Sequence, residues 1–327
     1  MKQFLIIFLS SWFFCLSAQN QIEGVDAIAF NIKTDNDTIE YLKIGADIDT
    51  SKPTIIFLQG SLPSPLVIDL GSFKHINIPF DFKNLIIDYH VVVISMPKTP
   101  LIIDKEYLNK SYSFITNQSD EYSFSYKYLK NNYLDNYVNR TNAVIKDLRL
   151  MKWVNKDEIH LIGHSQGAKI ASVVASENQQ VKSVSLLGFN AFGRYETKLR
   201  RERIKLKSNL IDAKEYKENI KNLYERWEDI NNSPNDFKKG HNSWASFSID
   251  YTPFLLKINI PIFIGYGTND IIAENCDLLP LNFIKEGKTN MKVKPYIGLD
   301  HNFFNVEREK FWDNVMEDII NWIELEK

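Results

Sequence analysis

The stretch Glu158-Ile159-His160-Leu161-Ile162-Gly163-His164-Ser165-Gln166-Gly167-Ala168-Lys169-Ile170-Ala171 decides the reading of this chain. It is a short apolar run, a sharp turn with the pattern Gly-x-Ser-x-Gly, and the start of an Ala-rich helix. A serine hydroxyl is a weak nucleophile unless it is held exposed beside a base. A strand-to-helix elbow holds it at a strained tip, with the next backbone N–H free to stabilise an oxyanion. Gly163 and Gly167 fit such an elbow because the backbone there passes too close for a Cβ. The helix N-terminus places partial positive charge where the oxyanion would form. Alone the five-residue pattern is common; between an apolar strand and Ala168–Ala175 it has the context the chemistry requires.

Further short apolar runs lie on either side. Pro53–Leu58, Val91–Ser95, Val181–Gly188 and Pro261–Gly267 are continuous, as in strands covered on both faces, and Met291–Tyr296 is a last strand. Residues Val25–Ile44 alternate loosely around Thr34-Asp35-Asn36-Asp37, the pattern of an antiparallel hairpin. Between the runs, Tyr133–Trp153 and Glu307–Leu325 have helical periodicity. Pro79–Ile87 and Asp277–Lys285 are expected as short helices, and the polar, Tyr-rich Leu101–Asn132 as a long loop. Strands alternating with helices imply an α/β fold, a mostly parallel central sheet with helices on both faces. The 327 residues suit one large domain with an insertion. That insertion falls at about 190–258, where composition turns highly charged from Arg194 to Lys239. Its basic run, Lys198–Lys207, reads first as a solvated helix face and second as a means of recognising an acidic substrate. Trp227, His241, Trp244 and Phe247 are expected to pack the insertion onto the domain, with a pocket as the alternative.

A composition 44% hydrophobic and 24% charged is globular, and a formal net charge of -2 gives no electrostatic case for nucleic acid. Met1-Lys2-Gln3, the apolar Phe4–Leu16 and the small-residue site Ser17-Ala18-Gln19 form a signal-peptide pattern. It predicts cleavage near Ala18, residues 1–18 as the signal, one domain over 19–327, an exported (periplasmic or secreted) product and no stable span afterwards. A retained anchor is the alternative. Of the two cysteines, Cys15 would leave with the signal and Cys276 would stand alone. There is no Cys/His metal spacing, and no metal or cofactor is expected.

In a parallel sheet, ligands bind beyond the carboxyl ends of the strands. Ser165, Asp270 and His301 each follow a strand, in the order Ser, Asp, His. On Gly163-His164-Ser165-Gln166-Gly167, Gly267-Thr268-Asn269-Asp270 and Asp300-His301 the chain resembles the α/β-hydrolase-fold serine hydrolases, among them esterases, dienelactone hydrolases and serine peptidases. The resemblance covers roughly residues 50–325. It implies Ser165 as nucleophile, His301 as general base and then acid, and Asp270 as the group that orients the imidazole. It also implies an oxyanion hole from the Gln166 N–H and one from Ser61 or Gly60. Esterases of this fold often carry His-Gly after the early strand; here Gln59-Gly60-Ser61 stands there. Among six histidines, His241 in the insertion is the rival base, and Asp300 the rival acid. The expectation is an exported carboxylic-ester hydrolase acting on a small acyl substrate. A peptidase of the same fold, which would need an acidic group such as Glu196, Glu202, Glu225 or Asp229 to hold a peptide amine, and a catalytically silent binding protein stand beside it.

Overall fold

In chain order the strands are β1 (Gln19–Gln21), β2 (Ala27–Lys33), β3 (Thr38–Ile44), β4 (Lys52–Leu58), β5 (Val67–Asp69), β6 (Lys74–Ile76), β7 (His90–Ile94), β8 (Ile102–Asp104), β9 (Val154–His164), β10 (Ser183–Leu187), β11 (Ile262–Gly267) and β12 (Met291–Tyr296). The α-helices are α1 (Leu85–Asp88), α2 (Tyr126–Asn131), α3 (Leu134–Leu148), α4 (Gln166–Glu177), α5 (Gly193–Lys207), α6 (Ala213–Asn232), α7 (His241–Ser246), α8 (Thr252–Lys257), α9 (Leu279–Lys285) and α10 (Trp312–Leu325). They come from a computed structural model that describes residues 19–34 and 37–326. The signal segment and Cys15 lie outside the described residues.

Nine strands form the main sheet in the order β1-β2-β3-β7-β4-β9-β10-β11-β12. From β7 to β12 every neighbouring pair is parallel, whereas β1, β2 and β3 pair antiparallel. The expected hairpin is β2–β3, with Phe30 opposite Tyr41. This is the α/β-hydrolase fold: a mostly parallel sheet with helices on both faces.

The continuous apolar runs follow from burial on both sides of the sheet. In β4, Ile56 and Leu58 join a core with Ala168, Ala171 and Val174 of α4 and Val144 and Leu148 of α3. The alternate residues Ile55 and Phe57 join a second core with Trp312, Val315, Ile319 and Ile323 of α10. Period-two alternation thus feeds two apolar layers at once. Burying each such side chain contributes roughly 1.5–3 kcal/mol, so the central strands anchor the loops at their ends.

Two expectations are corrected in detail. The short helix expected within Pro79–Ile87 begins only at Leu85 and runs to Asp88; ahead of it the Asp81 N–H donates to Asp313 Oδ1 at 2.8 Å. The expected loop Leu101–Asn132 contains β8, which pairs parallel to β5 in a small three-stranded sheet, and α2, capped by Ser125 Oγ accepting from the Tyr128 N–H at 3.1 Å. Strands of three residues are too short for a periodic signal.

Candidate active site

The strand β9 ends at His164, and the helix α4 starts at Gln166, leaving Ser165 alone at the corner. Its φ of 57° and ψ of -112° lie outside the ordinary helical and extended regions. The packing around it explains both glycines. A Cβ on Gly163 would meet the Gly167 carbonyl oxygen at 2.3 Å, and one on Gly167 would meet the Leu58 oxygen at 2.0 Å. The loop after β4 therefore lies directly against the elbow. The Ser165 N–H is tied to the Leu187 carbonyl at 2.8 Å, so the end of β10 fixes the corner.

His301 Nε2 lies 2.9 Å from Ser165 Oγ, and His301 Nδ1 lies 2.7 Å from Asp270 Oδ2. Facing a carboxylate, the neutral ring keeps its proton on Nδ1 and turns the Nε2 lone pair to the serine hydroxyl. Asp270 is buried, and its other oxygen accepts the Ile272 N–H at 2.8 Å. Space for this pair comes from Gly188 (φ 55°), where a Cβ would sit 3.0 Å from the imidazole. The rivals lie elsewhere. Asp300 Oδ1 accepts the Asn302 and Phe304 N–H groups, and Oδ2 accepts from Arg308. His241 is buried in the insertion against the Ser233 carbonyl at 2.9 Å. Cys276 is buried, with its thiol pushed up by burial.

The residues expected to hold an oxyanion are beside the serine. Gln166 opens α4, so its N–H is among those without an intrahelical partner. A Cβ on Gly60 would lie 3.7 Å from Ser165 Cβ, and Ser61 lines the same cavity as Ser165. The next residue, Leu62, has φ 102°, an uncommon conformation for a branched side chain.

His164, inside the elbow, points away from the serine as its place in the sequence implies, but its partner there is not legible in the sequence. Its ring leaves the serine side, packs 5.0 Å from Trp312, and its Nε2–H donates to the His301 carbonyl at 2.8 Å. Burial pushes it down to about 3, with the neighbouring His301 acting in the same sense, so it stays neutral and clamps the loop that carries the imidazole. The signal was its place beside the serine: in a strand, neighbours face opposite ways, so it had to meet the layer under α10.

Above the serine lies a cavity of about 230 Å³, lined by Ser61, Ser165, Gln166, Lys169, Arg194 and Trp244 and edged by Lys198 and Arg201. The basic run is thus only partly a solvated face, since two of its residues reach the site. Trp244 lines the cavity, while Phe247 belongs to the core and Trp227 packs tilted against Tyr195, ring centres 4.5 Å apart. Gly193 (φ 84°) lets α5 begin against Ser248, where a Cβ would come within 2.7 Å, and this turns Arg194 inward. Burial holds the Lys169 amine well below its usual value. Among the described residues no group of His, Cys, Asp and Glu side chains is arranged to hold a metal ion, and no helix is long and apolar enough to cross a membrane.

No protein-family model and no curated sequence matches the chain. Solved structures share its fold. A dipeptidyl peptidase 4 from Porphyromonas gingivalis superposes with a TM-score of 0.57 at 10% identity, covering 92% of this chain and 35% of its own. A 2,6-dihydroxy-pseudo-oxynicotine hydrolase gives 0.51 at 14%, covering 87% and 62%. Acetyl xylan esterase 1 from Thermoanaerobacterium gives 0.51 at 14%, covering 95% and 87%. The chain spans about a third of the peptidase and less than two thirds of the oxynicotine hydrolase. What it shares with this hydrolase, peptidase and esterase is the α/β-hydrolase fold.

Proposed function

We propose that the chain is a serine hydrolase that cleaves an ester or related acyl bond through an acyl-enzyme. The observation that carries the reading is the continuous link from Asp270 through His301 to Ser165, at 2.7 and 2.9 Å, beneath a cavity. Ser165 Oγ attacks the acyl carbon while its proton passes to His301 Nε2. The carbonyl electron pair moves onto oxygen, where the N–H of Gln166 and one from Ser61 or Gly60 hold it. The pair then returns, the bond to the leaving oxygen breaks, and that oxygen takes the proton from His301. Water repeats the cycle on the acyl-serine and restores the enzyme. Asp270 holds the ring and stabilises the imidazolium.

Ester cleavage is favoured over release of amino acids or dipeptides by where the acidic residues go. Glu196 is held by Arg200, Glu202 by Lys205, Glu225 by Lys221, and Asp229 by Lys239. Among the described residues no acidic side chain lines the cavity to receive a peptide amine. In this reading the 190–258 insertion is a helical cap, and the segment before Gln19 directs export.

Labelling by a neutral fluorophosphonate tests the assignment. The mature protein should label, and Ser165→Ala and His301→Ala should not. Labelling that survives Ser165→Ala sinks the nucleophile assignment; a folded parent that never labels sinks the hydrolase reading.

A further inference from the structure

Arg194 is a cation in an unusual place. Its Nη1 donates to Ser243 Oγ at 2.8 Å, its Nη2 donates to the Gln166 side-chain oxygen, and its guanidinium lies 4.5 Å from the centre of the Phe247 ring. These contacts fix the plane of the fork without neutralising it. Among the described residues no carboxylate forms an ion pair with Arg194, Lys169, Lys198 or Arg201. Glu196, on the same helix, is taken by Arg200, through Nε at 2.7 Å and Nη2 at 2.9 Å. Four basic side chains therefore share one cavity with the serine and no acid. Arg194 is half-buried and burial lowers its pKa, so leaving its charge without a counter-ion is costly. Here the missing partner has a place to sit. Among the described residues two of the five guanidinium N–H groups have a partner, and a fixed planar fork matches a carboxylate in two parallel hydrogen bonds.

We propose that the cavity over Ser165 contains an anion subsite built on Arg194, with Lys198 and Arg201 at its edge, and that the substrate is an acyl ester bearing a free carboxylate. The inference rests on the serine-hydrolase reading above. Gln166 joins the two functions: its backbone N–H lies at the oxyanion position, and its side chain positions the arginine. An anion seated on Arg194 thus touches the residue that opens the elbow helix.

Two matched ester pairs test this. One carries charge on the acyl side: the p-nitrophenyl monoester of adipic acid against p-nitrophenyl hexanoate. The other carries it on the leaving side: hexanoyl 4-hydroxybenzoate against hexanoyl 4-hydroxybenzamide. Two charge-assisted hydrogen bonds correspond to a kcat/KM preference of about 100-fold for the charged member of at least one pair. Arg194→Met should collapse that ratio, and Arg194→Lys should restore part of it by keeping the charge without the fork. A parent with no preference in either pair overturns the proposal. So does an Arg194→Met variant that loses rate on both members equally, which is what a purely structural arginine would do. An acyl ester ending in a phosphonate that outperforms the carboxylate overturns the carboxylate assignment. If Arg194→Met does not fold, the double variant Lys198→Met, Arg201→Met at the cavity edge should still lower the ratio, and an unchanged ratio counts against the subsite. Fluorophosphonate labelling of the same preparation separates the failures: a labelled enzyme without preference loses only the anion subsite, and an unlabelled one loses the hydrolase.

Discussion

The floor and the roof of the site are built on opposite principles. The floor is the carboxyl edge of the sheet, where β9, β11 and β12 deliver Ser165, Asp270 and His301. The strand ends before Ser165 and Asp270 are buried between two apolar layers, the Ser165 N–H is tied to Leu187 at 2.8 Å, and His301, after the partly exposed edge strand β12, is held through its carbonyl by His164. The roof is α5 to α7, and its two long charged helices, α5 and α6, bury few residues: Ile230 is the buried residue of α6. Its order comes from side-chain pairs and from cations over Trp244, with Lys198 and Arg226 each 5.4 Å from the ring centre. Under the proposed hydrolase reading, backbone-held groups below and side-chain-held groups above would separate chemistry from selection. Substitutions in the floor should change rate for every substrate, and substitutions in the roof should change the ratio between substrates.

The largest effect expected sharpens the floor. Asp270→Asn keeps the shape but lets the amide offer a donor to His301 Nδ1, which favours the wrong tautomer. A loss in kcat of about 10⁴-fold is expected on neutral and charged esters alike. Asp300→Asn should stay within about 10-fold, since the Asp300 carboxylate holds its own turn, at Asn302, Phe304 and Arg308. If Asp300→Asn costs more than Asp270→Asn, the acid has been assigned to the wrong residue.

A second test concerns the elbow. Gly167→Ala puts a methyl group 2.0 Å from the Leu58 oxygen, so either the β4 loop or α4 must shift. Movement of the loop carries Ser61 away from Ser165. Destabilisation by about 1–3 kcal/mol in denaturant melts is expected, with a kcat loss larger than any change in KM. A variant with parental stability and rate would mean that the elbow is looser than these contacts require.

This division also explains what the bare sequence disclosed. The floor was legible because its constraints are local and chemical. Gly163 and Gly167 must lack a Cβ, apolar runs must sit in a covered sheet, and the Ser, Asp, His order follows strand ends. The roof was legible only as helices. Nothing local in Lys198–Lys207 separates Lys198 and Arg201, which reach the cavity, from Lys205, which pairs with Glu202 on the same helix. Arg194 looked like one more charge at the edge of a basic run; its meaning depends on Gly193 turning it under Phe247 and on Gln166, 28 positions earlier. His164 lies between these cases. Alternation along β9 points it away from the serine, but that it would grip the His301 carbonyl required a tertiary contact 137 residues away.

The smallest effect expected concerns that contact, and pH reveals it. His164 titrates near 3 in the fold and near 6.5 when unfolded, so the unfolded chain binds the extra proton first. Its contribution is fully present above pH 6.5 and is lost as pH falls towards 3, with a slope of at most about 1.4 kcal/mol per unit. His164→Asn removes that titration but keeps a short side chain with an N–H donor. Its stability deficit against the parent at pH 7.5 should therefore shrink by pH 4.5, and its kcat should drop by about 10-fold through looser placement of His301. His90, also buried and shifted down, titrates in both proteins and cancels in the comparison. A deficit equal at both pH values would mean that His164 is charged or solvated in the fold. The rigidity of the floor would then have to come from the Trp312 and Phe303 packing alone, which Trp312→Leu would expose as a loss of rate for every ester without a change in their ratio.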